Sequence, residues 1–222
     1  MTQVKICGIK EEGHALAAVE AGADFIGFVF APSKRQVSSA RAQEVINAVK
    51  RGSNAVKTVG VFVDIPTSEV NRIADFCGLD WVQLSGNESR DYCREITRPI
   101  IKSIRIRQQR PEEIYAELTT GLKTLSRRRF TTLLDSQIEG KYGGTGTTFD
   151  WRLAQQVAMK FPVIIAGGLS PQNVAQAIEI IVPWGVDVSS GVETEGSKDV
   201  AKIKAFIEAV RRIDGNKSQA TT

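Results

Sequence analysis

The sequence predicts an α/β chain folded as a single (β/α)8 TIM barrel, a parallel eight-stranded sheet closed on itself with a helix after each strand. Three observations carry this. Short runs rich in Val, Ile and Phe recur along the 222 residues, each succeeded by a longer stretch with apolar residues at three- and four-residue intervals. Their starts lie roughly 20 to 30 residues apart, the length of one strand, one helix and two short loops. Runs such as Val163-Ile164-Ile165-Ala166 are apolar throughout, as parallel strands covered on both sides require. An open doubly wound sheet is the architectural alternative, but eight units in a chain of this length suit a closed barrel better.

The first strand is expected at residues 4–7. Period-two alternation puts Val4 and Ile6 on one face and Lys5 and Cys7 on the other. The apolar pair suits the helix-covered outside, so Lys5 and Cys7 should point into the barrel. A helix at 12–21 follows and holds His14, the only histidine. The second strand, 25–30, leads through a loop containing Lys34 and Arg35 to a helix at 39–50, with Ser38 or Ser39 at its start. The third strand, 56–63, ends at Asp64, and Pro66-Thr67 opens a helix at 67–76. Strand four, 81–84, is followed by Ser85-Gly86 and a helix at 88–96. Strand five, 100–104, carries Ser103, with Arg105 just beyond, and precedes a helix at 111–118. Strand six, 130–134, closes on Asp135. No helix begins there for over ten residues, and the glycine-rich segment 138–148 reads as a loop that covers a ligand. A helix at 149–159 comes next. Strand seven, 163–166, gives way to Gly167-Gly168, and Ser170-Pro171 supplies a cap and a first-turn proline for a helix at 171–181. Strand eight, 186–188, ends in Ser189-Ser190-Gly191 before a helix at 199–211. Periodicity is lost from Ile213 to Thr222, giving a barrel domain of residues 1–212 and a flexible tail of 213–222.

Composition narrows the chemistry. The net charge of +4 suits an anionic small molecule and is too small and scattered to argue for nucleic acid. The one dense basic cluster, Arg127-Arg128-Arg129 with Lys123, has no interleaved aromatic residues and reads as a solvated face. With one histidine and three cysteines lacking CxxC spacing, no metal site is expected. Unframed cysteines, the lack of a leader-like start and the lack of a long apolar run point to a cytoplasmic protein that does not span a membrane.

In a barrel of this kind function sits at the carboxyl ends of the strands. Gly167-Gly168 and Ser189-Ser190-Gly191 lie at neighbouring strand ends, where backbone N–H groups can approach an anion and phosphate recurrently binds; tight turns alone would also explain them. Cys7 ends strand one, where a thiol beside the Lys5 ammonium can ionise and serve as a base, although a buried cysteine is commonly inert. Asp135, beside the glycine-rich loop, is placed to act as a general acid. Asp187, on a strand that closure puts next to strand one, is expected to form an ion pair with Lys5 below the site.

These residues resemble a known family. KICGI at 5–9, GADFIGFVFAPSKRQVS at 22–38, GVFV at 60–63, VQLSG at 82–86, LLD at 133–135, GGTGTTFDW at 143–151, AGGLSPQNV at 166–174 and GVDVSSGVE at 185–193 look like phosphoribosylanthranilate isomerase. The resemblance implies an Amadori rearrangement of N-(5′-phosphoribosyl)anthranilate in tryptophan biosynthesis, with no cofactor. It implies Cys7 as general base, Asp135 as general acid and Arg35 as the contact for the anthranilate carboxylate. It assigns the phosphate to Gly167, Gly168, Ser189, Ser190 and Gly191. Ser85 stands where the family commonly has histidine. The only partner implied is a small phosphosugar, with a monomer or a homodimer as the assembly. The competing readings are another phosphosugar barrel, such as the imidazole-pathway isomerase or the next synthase of the tryptophan pathway, and a non-catalytic phosphate-binding barrel.

Overall fold

The computed structural model describes residues 1–52, 55–106, 112, 114–116, 118–119, 130–135 and 151–219. Eight strands, β1 (Gln3–Cys7), β2 (Phe25–Val29), β3 (Lys57–Phe62), β4 (Trp81–Leu84), β5 (Ile100–Arg105), β6 (Phe130–Asp135), β7 (Val163–Ala166) and β8 (Gly185–Val188), pair in sequence order as a closed barrel. The ring closes where β1 pairs with β8 in parallel, Lys5 opposite Asp187. An open sheet is thereby excluded.

Alternation along the strands creates two apolar compartments. Outward residues such as Val4, Ile6, Ile26, Phe28 and Leu84 join the large core between barrel and helices. Each is fully buried, and each such side chain contributes about 1.5–3 kcal/mol of transfer free energy. Inward residues Phe25, Val59, Ile101, Leu133, Ile164 and Ala166 form a smaller core inside the barrel, with Trp81 against it.

Helices Glu12–Glu20, Ser39–Gly52, Thr67–Cys77, Arg90–Glu95, Trp151–Ala158, Val174–Ile181 and Val200–Gln219 cover the outside. Ser38 caps the second of these by accepting from Arg41 N at 3.2 Å, and Ser89 caps the fourth by accepting from Tyr92 N at 3.2 Å. Residues 112, 114–116 and 118–119 are helical, reaching one residue past the 111–118 expected after β5. Most boundaries fall within two residues of expectation, and two differ by three or more. The helix placed from Pro171 begins at Val174, because Asn173 folds the preceding turn onto itself, accepting from Ser170 N at 2.8 Å and donating to Gly168 O at 2.9 Å. The last helix runs on to Gln219, past the Ile213 where periodicity fades. Asp214 holds it there, accepting from both the backbone N and the hydroxyl of Thr2 at 2.8 Å. Lys123 with Arg127–Arg129, the segment 138–148 and the start of the helix expected from 149 lie outside the described residues.

Helix Val174–Ile181 ends on Val182 with φ of 52°, a left-handed conformation that a β-branched residue resists. Val182 is exposed, so its side chain contributes little packing. Val182→Gly is expected to raise the melting temperature by roughly 3 °C, about 1 kcal/mol in a chain of this size. A thermal scan that shows no change or a fall would refute the strain assigned here.

Candidate active site

Successive rings of inward side chains follow from the strand registers. In barrels of this class each ring takes four side chains from alternate strands. The ladder puts Cys7, Val61, Ser103 and Ala166 in one ring, with Val29, Ser85, Asp135 and Ser189 above it at the mouth. Gly27, Gln83, Leu133 and Asp187 lie below. All four residues of the mouth ring are half-buried, whereas Cys7 beneath them is buried. The expected base and acid therefore sit at adjacent depths on β1 and β6, both turned inward.

Beneath the thiol lies a buried ion pair. Lys5 Nζ donates to Asp187 Oδ1 at 2.9 Å, with the lysine side chain only 1% exposed, as expected from strand alternation and closure. Gly27 makes room for it: a Cβ there would come within 3.0 Å of Cys7 Sγ and 3.1 Å of Lys5 Nζ. Burial opposes the Lys5 charge, but the Asp187 carboxylate and the Cys7 sulfur outweigh it and hold the ammonium above the ordinary lysine value. Burial pushes the Cys7 thiol up, and Asp187 adds to this; Lys5 and Lys198 pull it back without cancelling the burial effect. The resting sulfur is thus a thiol set beside a cation that favours its thiolate.

The loop after β2 folds back on that strand, with Gln36 bridging to Val29 and Val37 N donating to Val29 O at 2.9 Å. This brings Arg35 over the end of β1, where a Cβ on Gly8 would lie 2.7 Å from Arg35 Cδ and 3.2 Å from Ser189 Oγ. Glycine meets both needs at position 8, close approach and a φ of +82°. Arg35 is held by Glu193, which accepts from Nε at 2.6 Å and Nη2 at 2.7 Å.

The glycine loops after β7 and β8 meet. Gly167 and Gly168 have φ of 93° and 66°, and a Cβ on Gly168 would project into open space. A Cβ on Gly191 would strike Leu169 O at 1.9 Å, so only glycine allows this contact. Ser190–Val192 form one short 3-10 turn. Ser189 Oγ donates to Cys7 O at 3.1 Å, linking the β8 loop to the end of β1. Cys7, Arg35, Ser189, Ser190 and Gly191 thus share one side of the mouth, with Gly167 and Gly168 beside them and Asp135 on the mouth ring.

Sequence reasoning missed three contributors. Glu193 and Lys198 face each other in a small hairpin, β9 (Glu193–Thr194) with β10 (Ser197–Lys198). Its turn residues Glu195 and Gly196 have φ of 52° and 80°. The Glu-Gly pair was the available signal, weaker than Asn-Gly because glutamate resists positive φ. The third is Gln83, buried on β4, whose Nε2 donates to Ser85 Oγ at 3.1 Å. Across the mouth, Glu88 accepts from Lys102 Nζ at 2.7 Å, Gly86 N at 3.0 Å and Asp64 N at 3.1 Å, bracing the ends of β3 to β5. A cavity of about 450 Å³ lined by Phe25, Trp81, Phe130 and Trp184 opens at the opposite, amino end, away from every group above.

A family model described as N-(5′-phosphoribosyl)anthranilate (PRA) isomerase matches residues 4–209. The chain belongs to this isomerase family. An N-(5′-phosphoribosyl)anthranilate isomerase of Dehalococcoides mccartyi is 47% identical over 98% of this chain and 99% of that protein. The phosphoribosylanthranilate isomerase of Thermotoga maritima superposes with a TM-score of 0.82 at 38% identity, covering 96% of this chain and all of that one. A structure of phosphoribosylanthranilate isomerase in complex with reduced 1-(o-carboxyphenylamino)-1-deoxyribulose 5-phosphate superposes at 0.79, with 36% identity. The family suggested by the KICGI, LLD and GVDVSSGVE motifs is the one that matches.

Proposed function

We propose that Cys7 and Asp135 are the general base and general acid of an Amadori rearrangement carried out in this barrel mouth. The chain is an isomerase of tryptophan biosynthesis. Its substrate is N-(5′-phosphoribosyl)anthranilate and its product 1-(2-carboxyphenylamino)-1-deoxyribulose 5-phosphate. The observation that carries the assignment is the pairing of depths: an inward thiol over a buried ammonium, and an inward carboxyl one ring higher at the mouth.

Protonated Asp135 donates to the ribose ring oxygen as the C1′–O bond breaks, and the anilino nitrogen lone pair forms the C1′=N bond. The Cys7 thiolate then takes the C2′ proton. The C–H electron pair becomes C1′=C2′, and the imine pair returns to nitrogen. The resulting enolamine tautomerises to the ketone as the C2′ hydroxyl loses its proton and C1′ gains one. Arg35 meets the anthranilate carboxylate through charge-assisted hydrogen bonds. The N–H groups around Gly167, Gly168, Ser189, Ser190 and Gly191 receive the phosphate. A non-catalytic phosphate-binding barrel would need only those loops. The same reading takes the protein as cytoplasmic, supported by three free cysteines. It takes the assembly as a monomer or a homodimer, the T. maritima relative being named as dimeric.

Turnover of freshly made phosphoribosylanthranilate by the purified chain tests the activity, and its pH profile tests the base. Because burial holds the free thiol above its ordinary value, kcat/KM should keep rising with pH past about 8.5, the reference for an unperturbed thiol. A rising limb centred well below that value would assign the limb to another group.

A further inference from the structure

The Glu193–Lys198 hairpin joins the two anion anchors of the mouth. Glu193 accepts twice from Arg35, at 2.6 and 2.7 Å, and once from Lys198 Nζ at 2.5 Å. Lys198 Nζ also donates to Ser189 O at 2.9 Å, on the β8 loop. The carboxylate side chain is 9% exposed and the ammonium 3%, whereas Arg35 remains 27% exposed and reaches solvent. Lys202 Nζ further fixes the Glu193 carbonyl at 2.8 Å. A carboxylate so enclosed cannot swing aside when an anion arrives, so it acts as a fixed mount for the guanidinium. Arg35 lies 158 residues from Glu193 in sequence, so this ion pair ties the loop after β2 to the segment after β8. A guanidinium has two edges that match a carboxylate. Glu193 takes the Nε–Nη2 edge, which fixes the plane of the guanidinium.

We propose that Glu193 and Lys198 are positioning residues that lock Arg35 to the Ser189 loop, so that the carboxylate and phosphate anchors are held at one fixed separation. The hairpin then selects for a substrate that carries both anions at that separation. This rests on the assignment of Arg35 to the carboxylate and of the β8 loop to the phosphate.

The test compares wild type with Glu193→Gln, Glu193→Asp, Lys198→Met and Arg35→Ala. Each is assayed for kcat and KM and for inhibition by three probes: inorganic phosphate, the reduced product analogue, and the same analogue made from aniline without the carboxyl group. Glu193→Gln should raise KM and weaken the carboxylated analogue by roughly tenfold, while the aniline analogue and phosphate shift less than about threefold and kcat changes little. Glu193→Asp, which keeps the charge, should recover part of the loss. Lys198→Met should weaken both analogues, because it releases the phosphate loop as well. Combining Glu193→Gln with Arg35→Ala should add little to Arg35→Ala alone, since both act through one guanidinium. If Arg35→Ala selectively loses the carboxylated analogue and Glu193→Gln does not, the positioning role is wrong and the site reading stands. If Glu193→Gln binds that analogue more tightly, Glu193 is a competitor for Arg35 and the proposal fails. If Arg35→Ala itself leaves the carboxylated analogue unaffected, the anchor assignment fails and the hairpin proposal falls with it. Equal weakening of all three probes by Glu193→Gln would mark a general loss of structure and overturn selectivity.

Discussion

Cys7→Ser lowers kcat by at least roughly 10²–10⁴-fold, the range for a lost general acid or base, while affinity for the reduced product analogue barely moves. A serine hydroxyl nearly matches the thiol in size and is a far weaker acid, so the thiolate is lost while the packing around position 7 is kept. Asp135→Asn gives a loss of the same order, since the amide still hydrogen-bonds the ring oxygen but cannot deliver a proton to it. Arg35→Ala shifts the emphasis, raising KM more than it slows bound substrate. The measurement is steady-state kinetics and analogue binding on the three variants. Near-normal turnover by Cys7→Ser would reduce the thiol to core packing and end this mechanism.

The second large effect is on stability. Lys5→Met strips the partner from a carboxylate buried inside the barrel, and breaking such a pair costs about 3–5 kcal/mol, or roughly 6–20 °C in melting temperature for a chain of this length. The Lys5 charge is held above the ordinary lysine value, so its contribution is complete below that value and is lost only as pH rises through the raised one. The deficit of Lys5→Met should therefore be the same across neutral pH. Lys5→Met/Asp187→Leu should recover much of the stability, because it leaves no charge uncompensated. It should recover little of the activity, because the cation that favours the thiolate is gone, and the pH limb of its residual turnover should move further to the alkaline side. A melting temperature of Lys5→Met within a degree or two of wild type would show that the pair contributes little.

How far the sequence discloses this molecule depends on the range of the interaction involved. Strands such as Val163–Ala166 and Trp81–Leu84 are bounded by local composition, and the structure places both where the sequence does. The Lys5–Asp187 pair is legible despite its separation, because alternation sets which way each side chain points and closure sets the neighbour. Pro171 misleads because a first-turn proline also suits the turn that Asn173 closes on itself. The end of the last helix is hidden because its hold is Thr2, at the far end of the chain. Glu193 escaped notice for the same reason: nothing near it in sequence announces an arginine on the opposite side of the barrel seam. Gln83 reads as one polar residue in an apolar strand until the strand registers put it beneath Ser85.

Closure between the first and last strands also sets a timetable. Lys5 and Asp187 are 182 residues apart, and a ribosome adds roughly 5–20 residues per second. For about 10–40 s after Lys5 is synthesised its counter-ion does not exist, and dehydrating the ammonium early would be unfavourable. The first strand therefore has reason to stay hydrated during translation while the middle of the chain organises. Closure of the barrel needs the final strand, and the same closure sets the Ser189 loop against Cys7. A nascent chain that stops short of β8 lacks both the carboxylate that pairs with Lys5 and the Ser189 loop, so activity is expected only once the whole circuit is complete.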